Sequence, residues 1–366
     1  EGVLRIAPDD AAALNYLANA YMTMEDFDRA AALYERAVNG PGTSNTAHSN
    51  LVRARLLQGD MEGAQAALAA FEAAHPEDPN VQERGFWVHA WAGEWAKADS
   101  LIAQWEASSE LPFVYRVNVH EYRAQLAAAQ GKIGEARRQI TQARRLAEVE
   151  LGTADAWFYT LYGAYLEIVT GNLDRARDII ASLEDRNLFD EIPLAARSYD
   201  LAVIFHNLVG NADEASTYLR RWEEETPPEL KGRYDEAERA RLGSMVGGPA
   251  ADPERTLSAI ESYRDRLRCT LCNRVEEAAA LEAAGRMQEA RDVSLSLASR
   301  FEANFTVSLL TRALAWYRVG RFSDKIDDTT TALEGYRRFL GMWADADPEL
   351  QPRVTEARAR SAALES

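Results

Sequence analysis

One short signature returns along the chain and limits what it can fold into: a small-residue or acidic turn, then a hydrophobe, then an alanine three residues later. It reads EDFDRA at 25–30, GDMEGA at 59–64, GEWAKA at 93–98, GKIGEA at 131–136, GNLDRA at 171–176, GNADEA at 210–215 and GRMQEA at 285–290. Ala30, Ala64 and Ala98 are spaced by 34 and 34 residues, and the later steps of 38, 40 and 39 predict lengthened loops. A unit this short cannot enclose a core of its own. Copies stacked on either side must cover its apolar face, so the core grows along one axis. The expected architecture is therefore a stacked array of like units.

The first unit resembles the tetratricopeptide repeat. Leu14, Leu17, Ala18, Tyr21, Ala30, Tyr34 and Ala37 follow its pattern of W-x2-L-G-x2-Y, then A-x3-F, then A, with Leu in place of Trp and Ala in place of Gly. The resemblance implies an all-α fold, an α-solenoid in which antiparallel helix pairs form a right-handed superhelix. Small residues at positions 8 and 20 of each repeat would let helix A approach helix B, while positions 7, 11 and 24 fill the space between them. Gly59, Gly93, Gly131, Gly171, Gly210 and Gly285 fall where helix A must stop, a left-handed turn that glycine tolerates. Pro8 and Pro76 fall where helix B ends.

Residues 1–10 read as the tail of a preceding repeat, which makes the chain an expected piece of a longer protein. Residues 11–231 hold six repeats, 232–347 hold degenerate helix pairs, and 348–366 form a C-terminal capping helix. Within the degenerate stretch, 233–245 and 253–268 read as one pair joined by GGPAAD. A second pair surrounds Gly285, and a third surrounds Gly320 with about seven residues inserted before its helix B. Asp347-Pro348 reads as a cap and first-turn proline opening the last helix. CTLC at 269–272, AAGRMQEA, and YRRFLGMWADADPELQPRV at 336–354 resemble the repeat region of bacterial multidomain signalling proteins. In those, such repeats follow a serine/threonine kinase, a nucleotide cyclase or a DNA-binding domain. The resemblance implies a signalling context and leaves the compartment open.

The formal net charge of −17 argues against nucleic acid and against an anionic membrane surface, since both are bound mainly through Lys and Arg. No apolar run approaches the roughly 18 residues that span a bilayer. Phosphate loops, HExxH, HRD, DFG, G-x-S-x-G and G-x-G-x-x-G are all missing from the sequence. We expect no catalytic residues, no metal and no cofactor. His48 and His120 take repeat position 4, and His89 and His206 take position 11, all packing positions. Cys269 and Cys272 supply half of a zinc site with nothing to complete it. They read as packed thiols or a disulfide. Asn304-Phe305-Thr306 is a glycosylation sequon, relevant only after export.

Helix A positions 2, 5, 6, 9, 12 and 13 line the inner groove of this kind of array. They supply the candidate partner-binding residues Asn15, Asn19, Asn50, Arg53, Asn80, Arg84, Trp87, Trp91, Asn118, Tyr122, Tyr162 and Tyr165. Asn amides can bond a peptide backbone as donor and acceptor, and the tryptophans offer large rigid contact area. Asn19, Asn50 and Arg84 match in type and order three positions of the carboxylate clamp of co-chaperone repeats. Asn15 and Asn80 stand where that clamp has lysines, which predicts weak capture of a terminal carboxylate. The expected partner is a protein or peptide. End-to-end self-association into oligomers or filaments is the alternative.

Overall fold

A computed structural model describes residues 7–40, 42–107, 113–231, 236–248, 250–264, 270–299, 301 and 308–366. Every element is helical among these residues. The pairs begin with α1 (Ala11–Thr23) and α2 (Phe27–Asn39), α3 (Asn45–Gln58) and α4 (Met61–Ala74), then α5 (Pro79–Trp91) and α6 (Trp95–Ala107). They continue with α7 (Phe113–Ala129) and α8 (Ile133–Glu150), then α9 (Thr153–Thr170) and α10 (Leu173–Asp185). A four-residue α11 (Leu188–Glu191) precedes α12 (Tyr199–Leu208) and α13 (Ala212–Glu225), and a short α14 (Pro228–Lys231) precedes α15 (Glu236–Ser244) and α16 (Pro253–Arg264). The last pairs are α17 (Thr270–Ala283) with α18 (Met287–Ser299) and α19 (Ser308–Lys325) with α20 (Thr329–Met342), followed by α21 (Gln351–Glu365). Packing runs between neighbours in sequence, as in α1 on α2, α2 on α3 and α3 on α4.

A single registry unites the pairs. Ala18 and Ala30 lie 12 residues apart across the first turn. The same interval joins Val52 to Ala64, Phe86 to Ala98, Ala124 to Ala136, Ala164 to Ala176, Val203 to Ala215, Ser244 to Thr256, Ala278 to Ala290, and Gly320 to Ala332. All of these residues are buried. They mark the crossing of helix A on helix B, where only a small side chain on at least one partner lets the backbones close. A leucine at one of these alanines would overpack the crossing at a cost of about 1–3 kcal/mol. The fold is thus an all-α array of tetratricopeptide-type helix pairs.

Two of these pairs carry no alanine signature. In the seventh, Ser244 and Thr256 take the crossing, and the Thr256 hydroxyl donates to the Ser244 carbonyl at 3.3 Å. In the ninth, the expectation of a turn at Gly320 with inserted residues is wrong. Helix α19 runs through Gly320 to Lys325, and Gly320 is the small residue of the crossing. A Cβ there would stand 2.6 Å from the Tyr336 ring, so only glycine fits. Trp316, Val319 and Gly320 fit the W-x2-L-G core of the repeat, with Val in place of Leu. The turn lies at Asp327, a non-glycine residue with φ of 61°.

The longer middle steps are taken up mostly by helix, not by loop. Helices α7, α8 and α9 have 17, 18 and 18 residues, against 13 or 14 in α1 to α6. The step to the sixth pair instead contains α11 and a 3-10 turn at Leu194–Ala196.

The chain forms two compact units: residues 1–111 with 299–309, and 112–298 with 310–366. Unit 1 holds the first three pairs together with the connector that follows α18. Unit 2 holds the remainder. Within unit 2 the last segment returns to the fourth and fifth pairs. The Asp347 amide donates to the Gly131 carbonyl at 2.9 Å, and its carboxylate accepts from the Gly134 amide at 2.8 Å. Asp347 therefore does not cap the last helix, as its sequence position suggests. Its own helix begins with a 3-10 turn, and its side chain is spent on α8, whose N-cap residue, Lys132, offers no acceptor. A carboxylate at a helix N-terminus satisfies an otherwise unpaired amide and favours the macrodipole. Here that carboxylate comes from 213 residues away. Arg137 binds Glu167 and Glu349 bidentately at 2.6–2.9 Å, and Arg353 donates to the Val169 carbonyl at 3.0 Å.

Candidate functional site

In unit 1, α1, α3 and α5 present their inner positions to one surface. Asn15 and Asn19 are one turn apart on α1, hence on one face. The Asn50 amide donates to both, at 3.1 Å to the Asn15 oxygen and 3.4 Å to the Asn19 oxygen. The Tyr34 hydroxyl donates to the same Asn19 oxygen at 2.5 Å. Burial pushes the Tyr34 hydroxyl up to about 12, against the opposing pull of Arg53, so it stays a donor. The oxygens of Asn15 and Asn19 are thus occupied. Their amide nitrogens keep donor capacity with no acceptor among the described residues.

Two guanidinium groups flank this ladder. Arg84 donates through Nε to the Ser49 hydroxyl at 3.0 Å and to the Ser49 carbonyl at 3.3 Å, and pairs with Glu83 at 3.1 Å. Arg53 is held below the usual guanidinium value, first by burial and then by the charge of Arg84, with Tyr34 and Glu83 opposing. Arg53 and Arg84 are like charges close enough to act on each other, with Glu83 beside them. Such a pair favours carboxylates and carbonyl oxygens.

Other predicted inner residues are already engaged. Asn80 is drawn into the N-cap of α5, where its amide nitrogen and its backbone nitrogen both bond Asp78 at 2.8 Å. Trp87 and Trp91 are buried, only 6% and 4% exposed. Phe301, from the connector after α18, sets its ring edge-on to both indoles, with centroids 5.4 and 5.3 Å away. The two aromatic anchors of the groove in unit 1 are therefore covered by the chain's own phenylalanine.

In unit 2, Tyr122 and Tyr162 are buried beside Glu121. Glu121 accepts from the Tyr159 hydroxyl at 2.7 Å and from the Gln125 amide at 3.3 Å. Burial, and then the Glu121 charge, hold the Tyr162 hydroxyl far above its usual value. This is a polar network inside the packing. Tyr165 rests edge-on to Phe205 at 6.3 Å, and Asn118 is half-buried. The histidines pack as well: His48 stacks on Phe71, His89 meets Glu94 at 2.6 Å, His120 meets Gln139 at 2.7 Å, and His206 stacks on Tyr218.

Cys269 lies outside the described residues, as do Asn304 and the side chain of Cys272. Among the described residues no group of three or more His, Cys, Asp or Glu side chains could hold a metal ion, and no helix is long and apolar enough to cross a membrane. Repeat position also places Ser49 on the inner face, where it orients Arg84, but gives no sign that Tyr34 and Glu83 act on the amides and guanidinium groups. Tyr34 sits at a helix B packing position, and only its hydroxyl reaches the inner face.

No family model matches the chain, and no curated protein matches it. Among solved structures it is similar to yeast Tom70, with 13% identity over 97% of this chain and 96% of that one, at a TM-score of 0.32. It is similar to the APC/C hetero-tetramer Cut9–Hcn1, with 12% identity over 99% and 88% and a TM-score of 0.33. It is also similar to the P58(IPK) TPR domain, with 11% identity over 97% and 99% and a TM-score of 0.27. Scores this low reflect no common superposition of whole chains, and the fold assignment rests on the registry of buried crossing residues.

Proposed function

We propose that this chain is a non-enzymatic protein-interaction scaffold, and that the inner face of unit 1 grips an extended polypeptide segment of a partner. The observation that carries the reading is the Asn15–Asn50–Asn19 ladder beside Arg53 and Arg84. Fixed amides match the alternating donors and acceptors of an extended backbone, and paired guanidinium groups match an acidic side chain or a terminal carboxylate. Preorganisation matters here, because side chains already held by Tyr34 and Ser49 lose less entropy on binding. The resemblance of the C-terminal segments to repeat regions of bacterial kinases and cyclases supports a partner drawn from such a signalling assembly.

The test is fluorescence polarisation of an extended-peptide library against the purified chain, with Asn50→Ala and Arg84→Ala as variants. A specific peptide should lose about tenfold or more in affinity in each variant, the loss of one well-placed contact. Equal binding by wild type and both variants would refute this surface. Particle mass is read alongside, because growth with concentration would favour self-association instead.

A further inference from the structure

Arg318, Arg321 and Lys325 follow one another on α19 at intervals of three and four residues, so they form one stripe on the inner face. Arg321 has Glu282 at 3.2 Å and Glu356 at 4.0 Å, and Lys325 shares Glu282 at 3.5 Å. Glu356 also accepts from the Tyr317 hydroxyl at 2.6 Å. Arg353, on α21, donates to a neutral carbonyl, that of Val169, and shares the charge of Glu356 with Arg321. Asp324, the remaining nearby carboxylate on α19, is taken by Arg360 at 2.7 and 2.8 Å. Two carboxylates, Glu282 and Glu356, therefore serve four cations.

Arg318 is the residue left over. It has no hydrogen-bond or ion-pair partner among the described residues. Its surroundings are Tyr165 of α9, Glu282, and the like charges of Arg321 and Arg353. Water reaches part of its side chain, yet burial is the largest of the causes that draw it below the usual guanidinium value. A guanidinium presents five donors in a planar fork, and those of Arg318 meet water and not a protein acceptor, which leaves them open to an anion. Removing the charge would relieve its repulsion from Arg321 and Arg353, unless an anion offsets it.

We propose that Arg318, with Arg321 and Arg353, forms an anion site that takes a tetrahedral dianion, a phosphate group. The excess of two positive charges fits a dianion better than a single carboxylate. Fork-shaped guanidinium groups fit phosphate oxygens bidentately, which halide ions cannot exploit. The site lies wholly in unit 2 and is independent of the surface proposed in unit 1.

The experiment is thermal unfolding of the full chain with and without 10 mM inorganic phosphate, balanced by chloride at equal ionic strength, for wild type and Arg318→Met. Wild type should gain about 2–5 °C from phosphate, the range expected for a site filled well beyond its dissociation constant. Arg318→Met should show no phosphate-specific gain, and in chloride alone should melt at or above wild type. An equal gain in both proteins would mean general salt stabilisation and would overturn the site. No gain in wild type would overturn it as well, as would a variant several degrees less stable in chloride. Should the variant fail to fold, a phosphorus NMR titration of wild type decides. Saturation at one phosphate per chain supports the site, and a linear response overturns it. A short phosphoserine peptide, run beside its unphosphorylated form, then separates the sources. If it stabilises at lower concentration than free phosphate, the site reads a phosphorylated segment; if only free phosphate acts, the ligand is a small anion.

Discussion

His206 shows how one buried ring ties stability to pH. Its Nε2 lies 3.2 Å from a Glu184 oxygen, while its buried Nδ1 has no partner. Protonation would create a second N–H with no acceptor, and burial lowers the pKa from 6.5 to about 4 despite the nearby carboxylate. The unfolded chain binds this proton below pH about 6.5 and the folded chain only near 4. Stability from this group is therefore complete above 6.5 and is lost as pH falls through that window, amounting to about 2 kcal/mol by pH 5. Urea unfolding at pH 7 and pH 5 should show that loss in wild type. His206→Phe should show a decline smaller by about this amount, and parallel declines would contradict the assignment.

At the scale of the element, the turn between paired helices sets what each position tolerates. Gly93 and Gly131 share a left-handed φ, 78° and 72°. They differ in what surrounds them. A Cβ at Gly93 meets nothing within 4 Å, whereas one at Gly131 would stand 2.6 Å from the Ala346 side chain and 3.3 Å from the Trp343 ring. Gly93→Ala should cost about 1 kcal/mol, the conformational term alone. Gly131→Ala should cost about 2–4 kcal/mol, because overpacking adds to it. Chemical denaturation of both variants compares them directly, and equal losses would show that the return of the last segment contributes nothing at this turn. The turns also show what the sequence could reveal. Where a glycine precedes the alanine, the pair was readable from local chemistry. Where Asp327 makes the turn and Ser244 and Thr256 make the crossing, the signature vanished although the packing persists. Inner-face residues such as Asn50 and Trp87 could be placed by repeat position. Phe301 could not be assigned to Trp87 and Trp91, since no periodicity links a connector to a helix more than two hundred residues earlier.

At the scale of the molecule, one ion cluster carries much of the closure of unit 2. The Glu167 side chain is 2% exposed and is held by Arg137, which also grips Glu349. Arg137→Ala leaves a buried carboxylate with the more exposed Arg175 as its cation and the Asn172 amide as a neutral donor, each 3.2 Å away, and should cost about 3 kcal/mol. Glu349→Gln keeps the buried pair and removes one partly exposed charge, so its cost should stay near 1 kcal/mol or below. Urea unfolding of the two variants measures the difference, and similar values would place the energy outside this cluster. Closure of this kind also bears on how the chain reaches its native state. Repeat arrays fold from local contacts and have low contact order, so each module can form as it leaves the ribosome. The Asp347 carboxylate on α8 departs from that scheme. The fourth module stays incomplete until nearly the whole described chain has been synthesised, so its final step is a slow, long-range search.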